Sequence, residues 1–235
     1  MKKILVCNQK MYLTYDEAKQ LNYEMQNIDF DGVELILCPS FLNFDVFSNY
    51  NLAAQDAFYE DRGAFTAEVS AYDLSLRGIR YALIGHSERR KYDSLETINL
   101  KIKALLKNSM TPILCIGEDK TEKELMRTCS VLRKQLLTAL NDVTLEPSQE
   151  VLIAYEPRYL IGGKNSLDKN NIIDTFNYIR KVMEELGITN YKLLYGAAIN
   201  SENIPKINND EIDGFLLGSS SVNILELKNI VKCIK

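Results

Sequence analysis

Eight short apolar runs recur along this chain at nearly even intervals, and most are apolar at every position, not at every second one. They are Ile4–Cys7, Val33–Cys38, Leu52–Gln55, Tyr81–Ile84, Pro112–Ile116, Val151–Tyr155, Lys192–Tyr195 and Gly214–Leu217. A strand that reads apolar throughout is buried on both faces, as in a parallel sheet covered by helices. Across 235 residues the mean interval is about 29, the length of one strand-plus-helix unit.

The segments between the runs carry helix signals. Thr14-x-x-Glu17 and Thr121-x-x-Glu124 both fit a capping box. Asp168 is placed to cap a helix whose apolar positions, Ile172, Ile173, Phe176, Ile179, Val182, Met183 and Leu186, follow helical spacing up to a stop at Gly187. A last helix is expected over Val222–Ile234, with Ile224, Leu225, Leu227, Ile230 and Val231 as its apolar positions. An open doubly wound sheet usually announces itself by a glycine-rich loop after its first strand. Here that position reads Asn8-Gln9-Lys10. The expected fold is therefore α/β, a single (β/α)8 TIM barrel. No linker or low-complexity tract interrupts it, so residues 1–235 are expected to form one domain.

Composition removes several function classes. The formal net charge of −4 argues against a nucleic-acid partner. No run of ~18 apolar residues exists, so no membrane partner is expected. Ile4–Cys7 follows Met1-Lys2-Lys3, but polar Asn8-Gln9-Lys10 comes too soon for a secretory signal. The five cysteines, Cys7, Cys38, Cys115, Cys129 and Cys233, are odd in number and form no C-x-x-C pair, which reads as reduced core thiols in a cytoplasmic protein. With one histidine and scattered cysteines, nothing has metal-ligand spacing, so no metal is expected.

In such a barrel the C-terminal strand ends converge on one face, where chemistry is done. The ends deliver Asn8 and Lys10 after the first strand, His86 and then Glu88 after the fourth, and Glu156 after the sixth. Gly196-Ala197-Ala198 and Gly218-Ser219-Ser220-Ser221 follow the seventh and eighth. Singly each is ordinary: a lone histidine is most often structural, a lysine after a strand is usually solvated, and small residues usually mark a turn. Together they supply a base, an electrophile, a cation and backbone donors, the set needed to abstract a proton beside a carbonyl.

These residues carry a resemblance. Ile84-Gly85-His86-Ser87-Glu88-Arg89-Arg90, Ala154-Tyr155-Glu156-Pro157, Cys115-Ile116-Gly117-Glu118 and Gly63-Ala64-Phe65-Thr66-Ala67-Glu68-Val69-Ser70 are motifs of the triosephosphate isomerase family. Asn8-x-Lys10 and Leu194-Tyr195-Gly196 add weaker support, and the chain resembles that family nearly end to end. The resemblance implies isomerisation of D-glyceraldehyde 3-phosphate and dihydroxyacetone phosphate through an enediolate, with no cofactor. It implies Glu156 as base, His86 as electrophile, Lys10 as cation and Asn8 as a further donor. Glu88 would stand near Lys10 in a structural or proton-handling role. The substrate phosphate would rest on Gly162, Ala198, Gly218 and Ser219, beneath a lid over residues 158–166. Thr66 would reach a neighbouring subunit near its Asn8 and Lys10, implying a homodimer.

The departures from the family cluster at the phosphate end. Gln9 replaces an aromatic residue, Arg158-Tyr159 replaces Val-Trp, Leu160-Ile161-Gly162-Gly163-Lys164 stands for Ala-Ile-Gly-Thr-Gly-Lys, Gly196-Ala197-Ala198 for Gly-Gly-Ser, and Gly218-Ser219 for Gly-Gly. Ala197 is the expected point of strain if its peptide needs a positive φ. The same departures keep open an isomerase of a tetrulose phosphate or related sugar phosphate; a barrel that binds a phosphorylated metabolite without turnover is a third reading, against which intact Asn8, Lys10, His86 and Glu156 argue.

Overall fold

The computed structural model describes residues 2–163 and 166–235. Its strands are β1 (Lys3–Asn8), β2 (Val33–Cys38), β3 (Asn51–Ala54), β4 (Tyr81–Ile84), β5 (Thr111–Ile116), β6 (Val151–Tyr155), β7 (Tyr191–Tyr195) and β8 (Gly214–Leu217). They pair in parallel, each with the next, and β8 closes on β1. The helices are α1 (Tyr15–Met25), α2 (Ala71–Leu76), α3 (Leu95–Lys107), α4 (Lys120–Glu124), α5 (Thr128–Ala139), α6 (Lys169–Glu185), α7 (Ile204–Ile207) and α8 (Ile224–Ile234). The expected barrel is the observed one, and every expected strand lies within one residue of an observed edge.

The units are less even than the spacing suggests. Between β2 and β3 the chain makes only a 3₁₀ turn at Phe41–Asn43, whereas β5 and β6 are joined through both α4 and α5. The Thr121 capping box is not formed. Asp119 caps α4, accepting from the Glu122 N–H while the Glu122 carboxylate accepts from the Asp119 N–H, so Thr121 lies inside the helix. Asp and Glu two residues upstream offer the same pattern, and the stronger acceptor takes the cap. The Thr14–Glu17 box and the Asp168 cap are formed, and Gly187 follows α6 with φ +70°. In α8 the buried residues are Leu227, Ile230, Val231 and Ile234; Leu225 faces solvent.

The continuous apolar strands split into two cores. Ile4, Val6, Ile36, Cys38, Ala53, Leu83, Ile113, Cys115, Leu152, Ala154, Leu194 and Leu216 fill the barrel interior. Alternate residues such as Leu5, Cys7, Ile84, Leu114, Ile153 and Phe215 pack outward against the helices. This is period-two alternation with both faces buried. Three of the five cysteines are core residues; Cys129 is exposed on α5 and Cys233 is half-buried.

Candidate active site

The interior register sets the site. Two residues beyond Val6, Ala154, Leu194 and Leu216 come Asn8, Glu156, Gly196 and Gly218, each continuing an inward-facing series into the barrel mouth. All four line one cleft of about 440 Å³. His86 is out of register with inward-facing Leu83. Gly85, at φ +71°, breaks the alternation and turns His86 into the same cleft. A side chain at Gly85 would be strained there and would press on Ile98 at 3.0 Å.

His86 and Glu156 are both buried, with Nε2 of the imidazole 3.7 Å from Oε1 of the carboxylate. Nδ1 accepts the Glu88 N–H at 3.3 Å, which leaves the proton of a neutral ring on Nε2, toward Glu156. Burial raises the Glu156 carboxyl above its ordinary range, and the nearby His86, Cys115 thiol and Lys10 offset part of that rise. Glu156 Oε2 is buried without a hydrogen-bond partner among the described residues. A desolvated carboxylate with an unengaged oxygen is a stronger base than one in water.

Lys10 lines the same cleft. Its Nζ bonds Glu88 Oε1 at 2.7 Å; burial pushes the Glu88 carboxyl up, but Lys10 together with His86 and Lys91 holds it below the usual range. Lys10 has φ +48°, a left-handed conformation that a lysine rarely adopts. Gln55 fixes it, its amide donating to Lys10 O at 2.7 Å and to Cys38 O at 3.0 Å. Asn8 Oδ1 accepts the Lys10 N–H at 3.1 Å.

Several supports were not assigned roles by sequence reasoning. Arg90 donates from Nε to Gly85 O and from a terminal nitrogen to Cys115 O, both at 2.8 Å, binding the β4 end to the β5 end next to His86. Arg89 pairs with Asp56 at 2.9 Å, and buried Lys101 meets Asp56 at 2.9 Å and Asp93 at 2.8 Å, anchoring the turn that carries His86. Buried Glu118 accepts from the Tyr155 and Thr128 hydroxyls, while its carbonyl accepts the Arg158 N–H at 2.9 Å. Gly196 leaves room for Glu156: a Cβ there would lie 2.7 Å from Glu156 Cγ. Motif spelling marked Arg89, Arg90, Glu118 and Gly196, but only the packing gives them functions.

Gly162, Ala198, Gly218 and Ser219 line the same cleft, with Lys10 Cε 3.8 Å from where a Gly218 Cβ would stand. The strain expected at Ala197 falls on its neighbour: Ala197 is fully buried, and Ala198 has φ +52°. Of the expected lid, Arg158–Leu160 form a 3₁₀ turn and Ile161, Gly162 and Gly163 border the cleft; Lys164 and Asn165 lie outside the described residues. Arg158 pairs with Asp119 and Glu122 at 3.2 Å each. Among the described residues no helix is long and apolar enough to cross a membrane, and no group of His, Cys, Asp and Glu is arranged to hold a metal ion.

The arrangement offers a raised carboxylate, an imidazole N–H and an ammonium on one face of a small cavity, the equipment for moving a proton between adjacent carbons. Comparison with known proteins agrees. The sequence model of a family described as Triosephosphate isomerase matches residues 3–234. A protein of that name from Alkaliphilus metalliredigens is 38% identical, covering 94% of this chain and 95% of its own length. One from Endomicrobium trichonymphae is 35% identical over 100% of this chain and 98% of its own length, and one from Dictyoglomus thermophilum is 34% identical over 98% and 99%. None of these comparisons favours the tetrulose phosphate alternative.

Proposed function

The chain belongs to the triosephosphate isomerase family, and we propose that Glu156, His86 and Lys10 carry the family's chemistry in it. The protein is an aldose–ketose isomerase that interconverts D-glyceraldehyde 3-phosphate and dihydroxyacetone phosphate.

Glu156 takes a proton from the carbon beside the substrate carbonyl. The electron pair left behind moves into the carbonyl, giving an enediolate. His86 Nε2–H donates to its oxygens, and the Lys10 ammonium offsets their developing negative charge. The hydroxyl proton passes from its oxygen to the former carbonyl oxygen by way of His86 Nε2, and protonation of the neighbouring carbon by the Glu156 carboxylic acid then returns the base to its starting form, so neither atoms nor electrons are gained or lost. The phosphate is a handle, held by Gly162, Ala198, Gly218 and Ser219 and with Asn8 closing the near side. The observation that carries this reading is the 3.7 Å approach of His86 to Glu156 within the cleft that Lys10 also lines.

A coupled assay of the purified protein with glyceraldehyde 3-phosphate tests it. Turnover that collapses in Glu156→Gln, with substrate binding retained, is expected. Near-normal turnover in that variant would reject Glu156 as the base.

The working form in this reading is a cytoplasmic homodimer. The loop from Gly63 to Ser70 supports it: Thr66 is exposed, Phe65 is 43% exposed, and Met11, next to Lys10, is 92% exposed. Apolar side chains displayed in this way on the surface suit a subunit contact. Three buried free thiols, Cys7, Cys38 and Cys115, suit a reducing compartment. Sedimentation of the wild type and of Thr66→Glu tests the dimer. A monomeric wild type with full activity would dismiss it.

A further inference from the structure

A cradle made of backbone N–H groups binds an anion only as well as those groups are aimed. The turn that follows β7 is internally tied. Ala198 O accepts from the Asn203 amide at 2.9 Å, and Asn200 Oδ1 accepts the N–H groups of Asn203 and Glu202 at 2.8 and 3.1 Å. Such a turn moves as one body, so its aim depends on what fastens it to the rest of the barrel.

The fastening comes from the β8 side. Ser220 Oγ donates to Ile199 O at 3.0 Å. Glu226, in the first turn of α8, accepts the Ser201 N–H on Oε1 at 2.6 Å and the Ser201 hydroxyl on Oε2 at 3.0 Å. The Cys233 thiol makes a longer contact with Ser201 O at 3.8 Å. α8 is itself a firm reference, seated by buried Leu227, Ile230, Val231 and Ile234. Its first turn is capped by Asn223, whose side chain accepts the Glu226 N–H at 3.0 Å. Glu226 also lines the cleft, as do Ala198, Gly218 and Ser219.

A carboxylate beside a subsite for a phosphate dianion needs a reason, because like charges repel. Here both carboxylate oxygens are engaged by Ser201, and charge-assisted bonds of this kind are stronger than neutral ones. We propose that Glu226 is a positioning residue for substrate phosphate: it clamps Ser201 and so holds the Ala198 turn in register with the Gly218–Ser219 turn. This rests on the isomerase reading, and specifically on the phosphate subsite within it.

The test compares wild type, Glu226→Ala, Glu226→Gln and Ser201→Ala by two independent readouts. One is calorimetric binding of inorganic phosphate; the other is the split of KM and kcat for glyceraldehyde 3-phosphate. Glu226→Ala is expected to raise the phosphate Kd and the KM together by about threefold to tenfold while kcat changes less. Glu226→Gln keeps an acceptor for the Ser201 N–H and should recover part of the loss. Ser201→Ala removes one of the two bonds without touching α8 and should show a smaller rise, which keeps the proposal testable if Glu226→Ala folds poorly. Unchanged phosphate Kd in both Glu226→Ala and Ser201→Ala overturns the proposal. So does tighter phosphate binding by Glu226→Gln, which would make Glu226 a repelling charge only. A wild type that binds phosphate but turns over no triose phosphate would reject the isomerase reading instead, while the binding comparison would still decide the role of Glu226.

Discussion

Nε2 of His86 stands 3.7 Å from Oε1 of Glu156. That is too long for a hydrogen bond and too short for a substrate atom to sit between them, since two such contacts in line would need about 6 Å. In the proposed reaction a carbonyl and its neighbouring carbon would lie edge-on across the pair, oxygen toward the imidazole and carbon toward the carboxylate. One planar fragment would then touch both groups at once, the geometry that the proposed enediolate requires.

Glu156→Gln should lower kcat by about 10²- to 10⁴-fold, the usual range for a positioned general base, with KM little changed. The acid limb of the wild-type kcat/KM profile should lie above the ~4.3 of a free glutamate, because burial raises this carboxyl. Initial rates across pH check both.

The same substitution should stabilise the fold at neutral pH. A carboxyl whose pKa folding has raised holds its proton more tightly folded than unfolded. The ionised group therefore costs stability above the folded pKa, and that cost disappears as pH falls below the unfolded value of about 4. Thermal denaturation should show Glu156→Gln above wild type at pH 7 to 8, with the gap closing toward pH 4. A constant gap across that window would place its origin elsewhere than in the charge.

Gly196→Ala should cost about 100-fold in kcat with the barrel retained. Its Cβ would sit 2.7 Å from Glu156 Cγ, so the base must move, and a shift of about 1 Å is enough for a loss of this size. Turnover with circular dichroism distinguishes this from unfolding.

Gln9→Met should stabilise the protein by about 1 kcal/mol. Gln9 is buried, and neither of its amide atoms has a partner among the described residues. An unsatisfied buried amide costs about 1–3 kcal/mol, and methionine fills similar volume without it. For a chain of this size each kcal/mol is worth about 2–4 °C in Tm. No change in the denaturant midpoint would mean the amide is satisfied in solution.

Ala198→Gly should gain up to about 1 kcal/mol of stability, since alanine at φ +52° carries a left-handed penalty that glycine lacks. Ala198→Ser should instead act on binding. A hydroxyl returned to the phosphate end should lower KM by about threefold to tenfold, the worth of one added hydrogen bond. Parallel chemical denaturation and steady-state kinetics separate the two effects.

The barrel was legible in the sequence because parallel strands buried on both faces must be apolar along their whole length, and eight such runs appear. The site residues were legible because Asn8, His86 and Glu156 are polar residues placed where those runs stop. The lengths of the connections were not. Nothing in composition says that β2–β3 needs only a 3₁₀ turn, or that Asp119 outcompetes Thr121 as a cap. What tertiary structure alone decided is aim. The left-handed Gly85 moves His86 out of register into the mouth, Gln55 holds Lys10 at positive φ, and the absent Cβ of Gly196 admits Glu156. Local sequence sets which residues reach the end of each strand, but their distances depend on the closure of eight strands into a ring, and closure is a property of all of them together.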